Sequence, residues 1–331
     1  MNSFSEESIR PLEISNRCVQ LMKKEIFSFF IDPISKKMKE NIADYTNCLA
    51  CGNTETDYYL DINGFKLERC SQCGFIFVNP RPKESTLINF FKRSESINLY
   101  SELVESTKKT RMINIFHPVA ESINNLFPQG GELLEVGCGS GLFLESIQKC
   151  QKWELTGIEP SLKAVEICRK KGLRVINSVL EDYSITNHYD LVVFWAVLDH
   201  FFNPFDIVSK VYTLLKPGGS IFIGNINIYG FDSIILNADN HAFNPPERLN
   251  FFGIESMKKM LERAGFKNIL TETTGKLDVD IVHNYWKNGG LYNCNDFLEK
   301  IIFGSDEQRA RFQKYLMENN LSGHMTTTAK K

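Results

Sequence analysis

The chain has 331 residues, a formal net charge of −2, and 43% hydrophobic against 24% charged residues. That is the profile of a globular protein able to bury a real core and long enough for two domains. It lacks the basic surplus of a nucleic-acid binder, and no apolar run reaches the ~18 residues of a membrane helix.

Residues 1–44 carry helical spacing around Val19, Leu21, Ile26, Phe27 and Phe30, with Pro33 as a break. The first residues, Met1 to Glu7, are acidic and have no apolar core, unlike a signal peptide. The cysteine count of nine is odd. An odd count without a secretion signal points to thiols and metal in a reducing compartment, so a cytoplasmic location is expected.

Residues 48–80 are strand-like and punctuated by cysteines: Cys48, Cys51, Cys70 and Cys73 form C-x2-C-x18-C-x2-C. Each pair can place two thiolates on one turn, and four complete a tetrahedral zinc site with no position left for substrate. Gly52 and Gly74 follow each pair, where the knuckle needs backbone freedom. A structural Zn2+ is therefore expected; a redox disulfide pair, or two disulfides, is the alternative. Within 48–73 the only cations are Lys66 and Arg69.

Residues 84–127 read as amphipathic helix, closed by Pro128-Gln-Gly-Gly131. Strand and helix then alternate, the pattern of a parallel sheet covered on both faces. Strands are expected at 132–136, 154–158, 174–177, 189–195, 220–225 and 267–273, with helices at 141–150, 161–171, 203–215 and 254–264. Residues 226–252 form a long connection on the ligand-binding side of such a sheet. Residues 283–320 look helical, and the β-rich tail 324–330 could be a last strand.

The segment Glu132 to Gly141 is a short apolar strand running into Gly137, Gly139 and Gly141, followed by an apolar helix. Glycines there allow a tight turn and close approach of a ligand, and the helix presents its N-terminal amides to an anion. The spacing is G-x-G-x-G rather than the dinucleotide G-x-G-x-x-G. Glu159 ends the next strand, where a carboxylate can accept both hydroxyls of a ribose. On these residues alone NAD remains open.

Four motifs taken in order resemble the class I S-adenosylmethionine-dependent methyltransferases: Leu133 to Gly141, Glu159, Tyr189 to Phe194, and Leu214 to Phe222. The resemblance spans roughly residues 105 to 274, with 324–330 as the closing strand. It implies an α/β fold: a Rossmann-like, doubly wound, mainly parallel seven-stranded sheet, preceded by a small four-cysteine zinc ribbon and helical segments. The expected division is a helical segment at 1–44, the ribbon at 45–82, and a helical linker or cap at 83–128. The methyltransferase domain is 129–331, with a helical insertion at about 283–320.

The resemblance further implies that Gly137, Gly139 and Gly141 cradle the methionine end of S-adenosyl-L-methionine, with Glu135 nearby. Cys138 and Ser140 belong to the same loop; nothing flanking Cys138 supplies a base, so it reads as a small loop residue rather than a nucleophile. Glu159 would hold the ribose, Leu180 and Glu181 flank the adenine, and Trp195 completes the cofactor set. The ribbon together with Phe75 to Pro82 resembles the heads of certain bacterial methyltransferases that accompany sugar, surface-polysaccharide and small-metabolite pathways. Zinc ribbons also head some ribosomal RNA methyltransferases.

Methyl transfer is an in-line displacement, and a neutral acceptor needs a general base. Asp199 and His200, at the carboxyl end of the fourth strand, are the leading candidates; otherwise His200 packs or caps the helix starting near Asn203. Ubiquinone-pathway O-methyltransferases have a similar segment with an extra acid three residues earlier, where this chain has Ala196, so a catalytic metal is not expected. Asn244-Pro-Pro246 resembles part of an adenine N6-methyltransferase motif, but Glu247 stands where an aromatic is needed. That segment reads as a loop over the acceptor pocket, where His241, Glu247 and Arg248 could touch substrate. The expected function is methyl transfer to a small molecule, with nucleotide-sugar or glycan intermediates favoured. An RNA methyltransferase and a cofactor-binding module without catalysis are the alternatives. Nucleic-acid binding and membrane insertion are not expected, and the 283–320 segment could cap the site or form a homodimer contact.

Overall fold

The computed structural model describes residues 4–150, 152–185, 188–290 and 296–331. After a two-residue strand, Ala43–Asp44, that pairs antiparallel with Arg81–Pro82, the ribbon carries β1 (Thr56–Ile62), β2 (Phe65–Cys70) and β3 (Ile76–Val78). The main-sheet strands are β4 (Gly131–Val136), β5 (Trp153–Ile158), β6 (Val175–Ile176), β7 (Tyr189–Trp195) and β8 (Leu215–Ile226), then β10 (Lys267–Thr273) and β11 (His324–Lys330). Between β8 and β10 lies a two-residue strand, β9 (Asn250–Phe251).

The seven strands run in the order β10-β11-β8-β7-β4-β5-β6. β11 is antiparallel to β8 and β10, and the remaining neighbours pair in parallel. Chain order reverses at β4, which lies between β5 and β7, so a crevice opens at their carboxyl ends. Leu133, Leu134, Leu191, Val192, Val193 and Phe194 are fully buried, as central strands covered on both faces require. Among the described residues, no helix is long and apolar enough to cross a membrane.

Several elements differ in detail from the sequence expectation. The 84–127 segment is cut into helices Glu84–Arg93, Glu95–Ser106 and His117–Leu126, with a short helix and a π-helical turn (Met112–Phe116) before the last. Ser94 makes the first cut, its hydroxyl accepting from the Ile97 amide as an N-cap. β8 begins at Leu215, with a register irregularity between Leu215 and Ser220 that takes in the Lys-Pro-Gly-Gly turn. The 283–320 expectation divides into helices Asp278–Lys287, Asp296–Ile302 and Asp306–Glu318, the last opened by a Ser305–Gln308 capping box; residues 291–295 lie outside the described residues. In the helix Leu12–Phe30, Met22, Ile26 and Phe30 face inward, whereas Val19 and Phe27 are exposed.

The ribbon is built into the rest of the molecule. β9 from the long connection adds to β3, giving a four-stranded sheet in the order β9-β3-β2-β1. Phe75 and Phe77 join Val192, Phe194, Ile207 and Met257 in one buried cluster with the main sheet. The ribbon's other side packs Phe65 and Leu67 against Ile26, Phe30, Phe90 and Phe251.

Candidate active site

The turn after β4 is held by main-chain bonds that leave one side open. The Gly137 and Cys138 amides donate to the Ile158 carbonyl at 2.8 and 3.2 Å. Gly137, Gly139 and Gly141 all have positive φ (70°, 51° and 78°). A Cβ on Gly137 would lie 2.7 Å from Val197, and one on Gly141 2.6 Å from Leu173. At Gly139 no heavy atom would lie within 4 Å. Gly139 therefore faces open space, and the other two glycines are needed for packing.

Two carboxylates border this loop. Glu159 Oε2 accepts from the Gly139 amide at 2.9 Å and Oε1 from the Ser161 amide at 2.8 Å. Each oxygen keeps a lone pair for a further donor, such as a ribose hydroxyl. Burial raises the Glu159 carboxyl above its ordinary range, against the lowering effect of those two amides. Glu135 is 3% exposed, and its Oε2 has no hydrogen-bond partner. Burial first, then the negative charge of Cys168 and Glu159, pushes it well above the ordinary carboxyl range. A buried acceptor without a donor, beside a loop with room at Gly139, suits a ligand that brings an N–H or a positive charge. The residues thus fit a cofactor such as S-adenosylmethionine.

The other residues expected around the cofactor have these surroundings. The Cys138 thiol points inward beside Cys168 and Gly157, and its partnership with Cys168 and burial raise it. The Ser140 carbonyl accepts from Lys171 at 2.8 Å. Leu180 is buried, while Glu181 is exposed. Trp195 is half-buried, its ring 5.0 Å from that of His324.

Just past the carboxyl end of β7, Asp199 is 2% exposed and its Oδ2 pairs with Arg248 Nε at 2.6 Å. His200 Nε2 lies 3.5 Å from Asp199 Oδ1, an ionic approach rather than a hydrogen bond, so Oδ1 stays without a hydrogen-bond partner. The helix Pro204–Leu214 is capped by the Asn203 side chain, which accepts from Phe205 and Asp206. His200 does not serve as its cap. His241 meets the Asp199 pair through Arg248, whose Nη1 approaches the His241 carbonyl at 3.5 Å. Its ring keeps solvent contact, yet the crowded cleft and then the Arg10 and Arg248 cations hold it below its ordinary range. His241 and Arg248 line a cavity of about 260 Å³ together with Arg10, Tyr100, Phe243 and Glu247.

His324, Arg10 and Arg81 were not singled out by sequence. His324 opens β11 and pairs in register with Ile226 at the carboxyl end of β8. Its Nδ1 lies 3.2 Å from Thr274 Oγ1, and burial pulls the imidazole down to about 4 against the opposing influence of Asp199. An antiparallel last strand places its first residue at the ligand-binding end, so the β-rich tail carried that signal. Arg10 and Arg81 carried none, because they reach the site only through tertiary packing.

In the ribbon, the Cys48–Cys73, Cys48–Cys51 and Cys51–Cys70 sulfurs are each 3.6 Å apart, and all four lie within 4.8 Å of one another. Sulfurs ~2.3 Å from a tetrahedral zinc sit roughly 3.8 Å apart, whereas a disulfide requires about 2.05 Å. The spacing fits a metal rather than disulfides. Gly52 and Gly74 close the two knuckles with amide bonds to the Cys48 and Cys70 carbonyls at 2.8 and 3.0 Å.

Residues 112–271 match the family model described as a methyltransferase domain. A ubiquinone biosynthesis O-methyltransferase of Vibrio parahaemolyticus serotype O3:K6 is 28% identical over 165 residues, 47% of this chain and 67% of that protein. A malonyl-(acyl-carrier protein) O-methyltransferase of Priestia megaterium is 28% identical over 151 residues, 42% of this chain and 55% of that protein. The chain spans 45% to 67% of the length of such curated relatives. A Haemonchus contortus phosphoethanolamine N-methyltransferase 2, solved with phosphomonomethylethanolamine and S-adenosylhomocysteine, shares the fold. Its TM-score is 0.51 at 15% identity, covering 77% of this chain and 62% of that one.

Proposed function

We propose, on the premise that residues 112–271 make this chain a class I S-adenosylmethionine-dependent methyltransferase, that its acceptor is a small molecule of the nucleotide-sugar or glycan-intermediate class. The observations that carry the cofactor placement are the buried Glu135 oxygen without a partner, near Cys168 and Glu159, and the open side of Gly139. S-adenosylmethionine, when bound, supplies a methyl group activated on a sulfonium. The 137–141 loop and Glu135 hold its methionine end. Glu159 takes the ribose hydroxyls while keeping the Gly139 and Ser161 amides. Leu180 and Glu181 flank the adenine, and Trp195 borders the same crevice.

The acceptor's polar group enters the cavity lined by Arg10, His241 and Arg248; His200 is not in that lining, and the cavity meets the Asp199–His200 turn through the Arg248–Asp199 pair. Arg248 orients a phosphate or carboxylate on it. His200, half-exposed beside the buried Asp199, receives the acceptor's proton, and Asp199 steadies the imidazolium that forms. His241, whose protonation is disfavoured by burial and by the Arg10 and Arg248 cations, touches the acceptor at the cavity wall. Ala196 offers no ligand to a divalent ion, so the acid–base work falls to side chains. The four cysteines hold a structural Zn2+, and their thiolates suit the reducing cytoplasm.

An RNA acceptor is disfavoured by the ribbon surface, where Lys66 is committed to Glu68 at 2.6 Å. The test offers radiolabelled methyl donor to small-molecule and RNA fractions of the source cells. Label in the small-molecule fraction, lost with Glu159→Ala, is the expected result; label in RNA overturns the acceptor reading.

A further inference from the structure

The Phe75 to Pro82 motif leaves one residue that the proposed chemistry does not use. Arg81 is 1% exposed, and no carboxylate among the described residues offsets its charge; burial alone draws it down to about 9. An enclosed cation without a counter-charge is costly; Arg81 Nε has no hydrogen-bond partner, and the two terminal nitrogens make the bonds. The guanidinium donates to the Phe202 carbonyl, to the Leu249 carbonyl at 3.4 Å and to Asn250 Oδ1 at 3.1 Å. Its planar fork can hold several acceptors in fixed directions, which neither lysine nor an apolar residue can do.

Those acceptors belong to two segments that matter. Phe202 ends the turn bearing Asp199 and His200; Leu249 and Asn250 directly follow Arg248. Asn250 relays the hold, donating to the Asp199 carbonyl at 3.2 Å and the Phe201 carbonyl at 2.7 Å. The Leu249 amide donates to the Asp199 carbonyl at 3.1 Å, and the Leu249 carbonyl accepts from Val78 of β3 at 3.0 Å. Arg81 thus ties the ribbon to both backbone segments that present the 2.6 Å Asp199–Arg248 ion pair.

We propose that Arg81 is a positioning residue for methyl transfer, fixing the Asp199–His200 turn against Arg248 from the ribbon side. The role rests on the reading that Asp199 and His200 act on the acceptor. Arg81→Lys keeps the charge but loses the fork. Asn250→Asp keeps an acceptor for Arg81 and removes both donors to the turn.

Both variants should raise amide hydrogen exchange at Leu249 and across 199–203 by about tenfold or more. Label transfer to the small-molecule fraction at saturating S-adenosylmethionine should fall by about tenfold. S-adenosylmethionine affinity and exchange in β4 and β7 should stay within about twofold. If Arg81→Lys does not fold, Asn250→Asp decides alone. Unchanged exchange at the turn, or a rise spread equally through β4 and β7, overturns the positioning role. Transfer lost in Asp199→Asn but intact in Asn250→Asp does so too, with the base reading left standing. Full transfer in Asp199→Asn instead removes the base reading on which the role depends.

Discussion

Replacing Glu135 by glutamine should change how cofactor binding and stability depend on pH. The native carboxyl is 3% exposed, lacks a partner for Oε2, and is held well above its ordinary 4.5 by burial and by negative neighbours. In the cofactor-free protein the folded state therefore keeps this proton while the unfolded chain releases it. Stability falls as pH rises from the ordinary carboxyl value to the raised folded one, then levels off. The glutamine variant lacks that slope and should be the more stable form above the window. A bound cofactor whose ammonium reaches Oε2 favours the ionised carboxylate, so binding expels a proton within the same window. Affinity should rise there by up to about tenfold per pH unit. Above it, glutamine loses a charge-assisted bond of about 1.5–3 kcal/mol, or roughly 10- to 150-fold in affinity. Calorimetry of S-adenosylmethionine binding in two buffers of different ionisation heat, from about pH 5 to about pH 8, reads the proton directly. No proton release by the native protein, or the same release by Glu135→Gln, would refute the placement of the cofactor against Glu135.

Gly137→Ala sets a Cβ 2.7 Å from Val197 at φ 70°, and should cost about 1–3 kcal/mol of stability. Its melting temperature should also gain less from added S-adenosylmethionine. Arg248→Met leaves Asp199 buried without its 2.6 Å partner, and should cost about 3–5 kcal/mol in urea unfolding. Adding Asp199→Asn should recover most of that; no recovery would mean that the ion pair is not the cause. Atomic absorption should find about one zinc per chain. Cys70→Ser should abolish it and lower the melting temperature by about 10 °C. Undiminished stability without metal would rule out a structural zinc.

The parallel sheet was legible because its strands are buried on both faces and read as apolar runs, as Leu191 to Phe194 do. The cysteine spacing was legible because metal geometry constrains chain geometry directly. Helix faces were harder: at about 100° per residue Val19 shares the stripe of Met22, Ile26 and Phe30, yet it is exposed where it lines the cavity, and Phe27 lies to one side of that stripe. Periodicity gives the stripe but not which of its turns is covered; packing against Phe65 and Phe90 covers Ile26 and Phe30. Breaks within 84–127 followed from one hydroxyl cap at Ser94, a local feature easily hidden in an amphipathic run. β9 was invisible because two residues have no period; its pairing with β3 comes from the partner strand. Arg81 was illegible because its acceptors, two backbone carbonyls and the Asn250 side-chain oxygen, lie far along the chain.

That pairing bears on what the ribbon is for. A zinc ribbon that grips an external polymer presents a free face, but here one side of the ribbon shares a core with the main sheet through Phe75 and Phe77. The other packs on the N-terminal helix through Phe65 and Leu67. The first knuckle is fastened as well: Arg263 donates to the Leu49 carbonyl at 3.3 Å, and its guanidinium lies 3.7 Å from the Phe205 ring centre. Phe205 opens the helix that follows the Asp199–His200 turn. The ribbon is thus fixed to that region at two points, Arg81 on one side and the Cys48–Cys51 knuckle on the other. A metal there would stiffen the support of the Asp199–His200 turn. Metal loss should then loosen the turn at 199–203 before the glycine loop at 137–141, which β4 and β5 hold independently.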